Sequence, residues 1–182
     1  AIVDGARTLM TQVGEKGHRG QFVEQRESNM LDGAAPWYTI YETSDGQHLS
    51  VGAIEPQFFA QLCERIGLAP EWHAAQNDRM RWPQLREEMA AIFRGRTRDA
   101  WAALLQDTDC CVAPVLSLGE AARHPHNSVR GTFVDVAGVS QPAPAPRFSR
   151  TPSQAGQVAA QATACAEVLA RWTREPAARS GT

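Results

Sequence analysis

Apolar side chains recur along the chain with two periods, one helical and one alternating, and the switches between them mark out its elements. Ile2, Val3, Ala6, Leu9, Met10 and Val13 fall at helical spacing, and Gly14-Glu-Lys-Gly-His-Arg-Gly20 then interrupts the pattern with three glycines. Asn29 to Pro36 reads as a turn. Within it Asp32-Gly33 can adopt positive φ and bring backbone close to a ligand or a neighbouring chain. Trp37 to Thr43 is rich in β-branched and aromatic residues, Asp45-Gly46 follows, and Gln47 to Ala53 alternates again, which predicts a β-hairpin. Gln57 to Ile66 places Phe58, Phe59, Leu62, Cys63 and Ile66 on one helical face, with Gly67 as its C-terminal stop. Further helices are predicted over Trp82 to Phe93 and, behind a Thr97 cap, over Arg98 to Leu105 with Trp101, Leu104 and Leu105 inward.

The second part of the chain carries weaker signals. Cys110 to Leu116 is a short apolar strand, and Gly119 to Arg123 a brief helix ended by His124-Pro125-His126. Phe133 to Val139 reads as a strand and Gln141 to Pro146 as extended backbone near polyproline II. Beyond Pro152 the composition turns to Ala, Gln and Ser, and Val158 to Arg174 resumes a helical pattern with Val168, Leu169 and Trp172. No internal repeat is present. The predicted order is helix, hairpin, three helices, strand, short helix, strand and tail, an α+β chain.

Composition narrows the functional classes. A net charge of −2 over 182 residues gives no reason to expect nucleic acid or an anionic membrane as partner. No apolar run approaches the roughly 18 residues of a membrane span. Cys63, Cys110, Cys111 and Cys165 include an adjacent pair and no C-x-x-C, so neither a disulfide framework nor zinc is expected, and the compartment reads as reducing and cytoplasmic. Ala1 to Met10 has no initiator Met and no cap before its apolar residues, like the inside of an element that began upstream.

The candidate chemistry centres on Glu55, where the second hairpin strand meets a helix. Pro56 suits the first helical position and puts Glu55 at the N-cap, a place that Ser, Thr, Asp and Asn fill better. A residue that breaks a local rule is often kept for function. The helix N-terminus favours its ionised form, so it reads as a stable anion rather than a proton shuttle; the plain alternative is a surface Glu in a first turn. Asp32 reads as a turn former more than an acid catalyst. His124-x-His126 lacks a third ligand for a metal, and no metal is expected. Ser44, Ser50 and Ser117 lack a nucleophile elbow, and no G-x-G-x-x-G or phosphate loop is present. Arg147 and Arg150 form a basic pair beside prolines, more suited to a surface or interface contact than to a phosphate.

Asn29-Met-Leu-Asp-Gly33, Pro36-Trp-Tyr38, Ala53-Ile-Glu-Pro-Gln-Phe58 and Ala145-Pro-Arg-Phe-Ser-Arg150 resemble the α-methylacyl-CoA racemases of the family III CoA-transferase (CaiB/BaiF) superfamily. The resemblance runs in order from Ala1 to about Pro152 and covers only the C-terminal half of such an enzyme. It implies the end of an inter-domain helix and a linker over residues 1–19 and the family's small domain over 20–150. It also implies a tail over 151–182, whose helix returns to an absent large domain.

For function the resemblance implies epimerisation of 2-methylacyl-CoA thioesters. A His/Asp acid–base pair would lie in the absent N-terminal half, since no position here matches either motif. Glu55 matches the family's Glu that hydrogen-bonds that His, while Ile54 and Tyr38 would add apolar wall to the acyl pocket. Met10 and Met30 are the methionines available for the family's Met-rich acyl surface, although Met10 reads as a core filler. The implied partners are the acyl-CoA substrate, a large domain and a second subunit in an interlocked homodimer, with no cofactor, because the CoA thioester is itself the substrate. Two alternatives stand beside this: a CoA-transferase of the same superfamily, and a non-catalytic dimerisation or regulatory module.

Overall fold

The computed structural model describes residues 1–156 and 164–173, which fall into two compact units, Ala1–Val115 and Leu116–Thr182. Their division lies inside the span 20–150 that the sequence presents as one small domain. The first unit holds α1 (Ile2–Leu9), α2 (Thr11–His18), β1 (Tyr38–Glu42), β2 (His48–Gly52), α3 (Pro56–Ile66), a 3-10 turn (Pro70–Ala75), α4 (Trp82–Phe93), α5 (Arg98–Leu105) and β3 (Val112–Pro114). The second holds α6 (Leu118–Arg123), α7 (Pro125–Arg130), the strands β4 (Phe133–Val136) and β5 (Val139–Pro142), and α8 (Cys165–Thr173). Helices mixed with two small antiparallel sheets make up both units.

The predicted hairpin is present. β1 pairs with β2 in the register Thr39 to Val51 and Tyr41 to Leu49, and β2 pairs with β3 on its other side. Tyr41, Leu49 and Val51 are buried while Ile40 and Ser50 face out, the alternation expected of a sheet with one face on the core. Helix α3 lays Phe59, Leu62, Cys63 and Ile66 into that core and stops at Gly67, whose φ of 73° suits a residue without Cβ. Helix α4 adds Leu85, Met89 and Phe93, all fully buried. Phe93 stacks against Tyr41 at 5.0 Å and Trp101 at 5.4 Å, and its carbonyl accepts from Trp101 Nε1. Burial in this cluster pushes the Tyr41 phenol well above its ordinary range, with the nearby Arg86 charge opposing, so it stays a neutral donor, bonded to the Pro36 carbonyl at 2.6 Å.

Two polar ties fix the hairpin to the helices. Arg86, half-buried on α4, donates to the carbonyls of Gly33 and Ala34 and to Thr39 Oγ1, and so pins the turn before β1. Gly33 has a φ of 101°, so the positive-φ turn is formed, and the group that approaches its backbone is Arg86. At the hairpin tip, Asp45 accepts from Thr43 Oγ1 at 2.5 Å and from the Arg98 amide at 3.2 Å, joining the turn to the start of α5. Thr97 caps α5 through the Ala100 amide as expected.

The structure departs from the sequence pattern in several places. The glycine segment does not break the helix: α2 runs through Gly14 and Gly17 and ends only at Arg19, before Gly20 with φ 66°. Glycine in a helix costs about 1 kcal/mol each and does not forbid it. Met10, expected as a core filler, is 55% exposed, and neither α1 nor α2 buries a residue. Leu104, expected inward, is 38% exposed. His124-Pro125 ends α6 but also starts α7, because Pro is at home in a first turn and Gly131 closes the helix. Phe133 to Val139 is not one strand: Ala137 and Gly138, both at positive φ, fold it into the β4–β5 hairpin, which takes in Gln141 and Pro142. Ala-Gly lacks the Asn-Gly or Asp-Gly signature that announces such a turn. Of the helix expected over 158–174, residues 165–173 are helical and residues 158–163 and 174 lie outside the described residues.

The hydrogen bond from Thr43 Oγ1, opposed by slight desolvation and aided by the Arg98 amide, holds the Asp45 carboxyl below its usual range. A carboxyl depressed in the folded state contributes stability that is complete above its unfolded value of about 3.9 and is lost as pH falls through the folded one. Urea midpoints should therefore drop as pH falls below about 4, and Asp45→Asn should flatten that drop. A variant as steep as the wild type would show that Asp45 is not the titrating tie. Arg86→Met leaves the Gly33 and Ala34 carbonyls without their donor and should cost about 1–3 kcal/mol in urea unfolding. Amide exchange in residues 29–36 should accelerate beyond that of α4, and equal acceleration of both would contradict local pinning.

Candidate functional site

The strand-to-helix corner at residues 52–55 is tied at almost every backbone group. The Gly52 amide donates to the Cys111 carbonyl at 2.9 Å, and the Gly52 carbonyl accepts from the Ile54 amide at 2.9 Å. The carbonyls of Ala53 and Ile54 both accept from Gln76 Nε2, at 3.2 and 2.8 Å. The Glu55 carbonyl accepts from the Phe58 and Phe59 amides at 3.0 Å, the first bonds of α3. Glu55 is the N-cap, extended at φ −73° and ψ 139°, with Pro56 at the first helical position, as the sequence predicts.

Gln76 is itself fixed. It is 4% exposed, and its backbone carbonyl accepts two indole N–H groups, Trp37 Nε1 at 2.9 Å and Trp82 Nε1 at 2.8 Å. The two indoles meet edge to face at 6.0 Å. A line of buried contacts thus runs from the tryptophans through Gln76 to the backbone that carries Glu55.

The Glu55 side chain differs from everything around it. It is exposed, it does not cap α3, and it makes no hydrogen bond or ion pair with any described residue. The corner ties the backbone that carries the carboxylate and leaves its oxygens open to a donor. A carboxylate so placed can accept from an imidazole or a cation; lacking a matched acid, it cannot by itself carry out two-sided proton transfer.

Tyr38 and Ile54 do not share one pocket. Tyr38 is half-buried and pairs across the strands with Gly52, and it lines an open groove of about 650 Å³ with Ile40, Ser50, Gly52 and Arg86. Ile54, half-buried beside Glu55, packs on the core and is not part of that groove. Met30 lines a second groove of about 670 Å³ with Val13, Phe22 and Leu31, and Met10 is not part of it.

The other candidates resolve on their contacts. Asp32 accepts from the Ser28 and Asn29 amides and from Asn29 Nδ2, which makes it a turn former. Slight desolvation works against its charge, but those donors prevail and hold its carboxyl below the usual range. Cys111 lies near Glu55, and partial desolvation together with the Glu55 and Asp109 charges pushes its thiol up, away from the thiolate a nucleophile requires. Cys63 is buried, and burial drives its thiol up to about 12. His124 is the N-cap of α7, and among the described residues no three His, Cys, Asp or Glu side chains gather as a metal site would require. Arg147 Nη2 donates to the Gly131 carbonyl at 2.7 Å, an exposed tie within the second unit.

Sequence reasoning misses Gln76 and Arg86. Both act on carbonyls 22 to 53 residues away, and neither sits in a local motif. Of the two indoles that bond to the Gln76 carbonyl, only Trp82 is near it in sequence, and Trp37 lies 39 residues away.

The chain is 39% identical to the α-methylacyl-CoA racemase of Mus musculus and 42% identical to that of Homo sapiens, each over 154 residues. Those stretches are 84% of this chain but 40% of either relative, so the chain spans about two fifths of the length of the curated relatives it matches. Among solved structures, a mutant of the Mycobacterium tuberculosis protein Rv3272 superposes with a TM-score of 0.59 at 16% identity, over 84% of this chain and 40% of that one. An orthorhombic crystal form of Rv3272 gives 0.55 at 17% identity over 66% of this chain and 34% of that one, and at such identities the likeness is one of fold. The profile of CoA-transferase family III matches residues 1–163, and the chain belongs to that family.

Proposed function

We propose that this chain is the part of an α-methylacyl-CoA racemase that supplies the carboxylate partner of the catalytic base. One observation carries the reading: Glu55 stands on a corner whose backbone is hydrogen-bonded on both sides, with its carboxylate exposed and without a partner among the described residues. The relatives named as racemases at 39% and 42% identity support the reaction class.

The proton beside a thioester carbonyl is acidic enough to be removed when the enolate is stabilised. Inversion requires one group to take it from one face while another returns a proton to the opposite face. In this reading a His and an Asp of the enzyme's other portion form that pair, held near matched pKa values by their surroundings. Glu55 accepts a hydrogen bond from the imidazole, orients the ring, fixes its tautomer and raises its pKa. The His would belong to the large domain of a second subunit in an interlocked homodimer, with each site closed by two chains. Tyr38, as the wall of an open groove, and Ile54, as an apolar shoulder next to Glu55, would both meet the acyl chain. The enzyme would work on acyl-CoA in the cytoplasm without a cofactor.

The test is α-proton exchange into a 2-methylacyl-CoA in heavy water. The chain alone should exchange nothing. A chimera in which it replaces the matching stretch of the mouse racemase should exchange, and Glu55→Gln in that chimera should lower the rate roughly a hundredfold. Exchange by the isolated chain would place a base within these residues. An inactive chimera, or a Glu55→Gln variant at the parental rate, would overturn the assignment.

A further inference from the structure

We infer that Gln76 is a positioning residue for the Glu55 carboxylate, acting through backbone and not through contact with substrate. The inference rests on the proposed role of Glu55 and adds a residue that belongs to no local motif. Gln76 is 4% exposed, and its side chain spends its amide donors on the carbonyls of the two residues directly before Glu55, Ala53 at 3.2 Å and Ile54 at 2.8 Å. A single amide group on two successive carbonyls fixes the peptide planes between them, and with them the direction in which the next residue leaves the strand. On the far side, Pro56 and the first turn of α3 hold the Glu55 carbonyl. Glu55 is therefore clamped before and after, with only its side-chain rotamer left to choose.

Gln76 can act as a clamp because it is anchored from behind. Trp37 and Trp82 both donate to its carbonyl, and Arg81 stacks on Trp72 at 4.1 Å, bracing the segment on either side. The tryptophans set Gln76, Gln76 sets residues 53 and 54, and these set Glu55. No other described side chain bonds to the Ala53 or Ile54 carbonyl. An imidazole partner needs its acceptor within a few tenths of an ångström, so slack in this corner reaches catalysis as misalignment.

The experiment uses Gln76→Met, which keeps side-chain length and removes both donors while the backbone carbonyl remains for the indoles. In this chain, amide exchange should rise at Ile54 and Phe58 by tenfold or more relative to Leu85 in α4. In the racemase chimera, kcat for exchange should fall about tenfold with KM near the parental value. The limb of the pH profile set by the imidazole should move to lower pH, the same direction as in Glu55→Gln, which removes the charge of its carboxylate partner. Combining Gln76→Met with Glu55→Gln should add no further loss, because both changes break one alignment.

A Glu55→Gln variant at the parental rate would sink the reading of Glu55 and this inference with it. If Glu55→Gln lowers the rate while Gln76→Met leaves the pH profile in place, or adds its full loss to the double variant, Gln76 is structural only. Uniform acceleration of exchange at Ile54, Phe58 and Leu85 would likewise reduce it to a stability residue.

Discussion

A single buried amide, that of Gln76, holds the first unit to one arrangement. Its backbone carbonyl serves two indole N–H groups and its side-chain amide serves two carbonyls just past β2, so the turn before β1, the β2–α3 corner and the start of α4 converge on one residue. Buried polar groups without partners cost more than the bonds return, and a network satisfied in one geometry alone excludes its neighbours. A slip of β2 by one residue would turn Leu49 and Val51 outward and also strip Gln76 of both acceptors. Hydrophobic burial accounts for collapse of this unit, while the amide network accounts for which collapsed arrangement is kept.

That division between core and network shapes the functional corner. Apolar contacts hold the hairpin against α3 and α4 with some tolerance, as close-packed side chains of similar volume do. The corner carrying Glu55 is fixed by directional bonds, which have little tolerance. Rigidity therefore sits where a carboxylate must be aimed, and the aimed group is the one left without a partner inside the chain. Arg86 applies the same logic to the turn before β1, spending its guanidinium on backbone carbonyls and so shaping one wall of the Tyr38 groove.

Much of the fold was legible in the chain because its signals are local. The Asp45-Gly46 turn, the Pro56 start and Gly67 stop of α3, and the Thr97 cap each depend on residues within four positions, and each forms as read. The α7 helix and the β4–β5 hairpin lie outside such signals: the proline that ends α6 also starts α7, and Ala-Gly makes a turn usually written with Asn. At α2, helical continuity outweighed two glycines.

The position of Glu55 belongs to the sequence, since Pro56 and the strand before it determine a helix N-terminus with a carboxylate at its cap. That this carboxylate is exposed and without a partner among the described residues, and that the backbone around it is tied by Gln76, belongs to the tertiary structure. Periodicity reports which faces are apolar, and capping reports where helices end. Neither carries information about bonds between residues more than twenty positions apart. Gln76 reaches Ala53 and Ile54 only because the packed tryptophans bring it there. The residue that aims the candidate site is therefore a product of the fold, and the residue it aims is written in the chain.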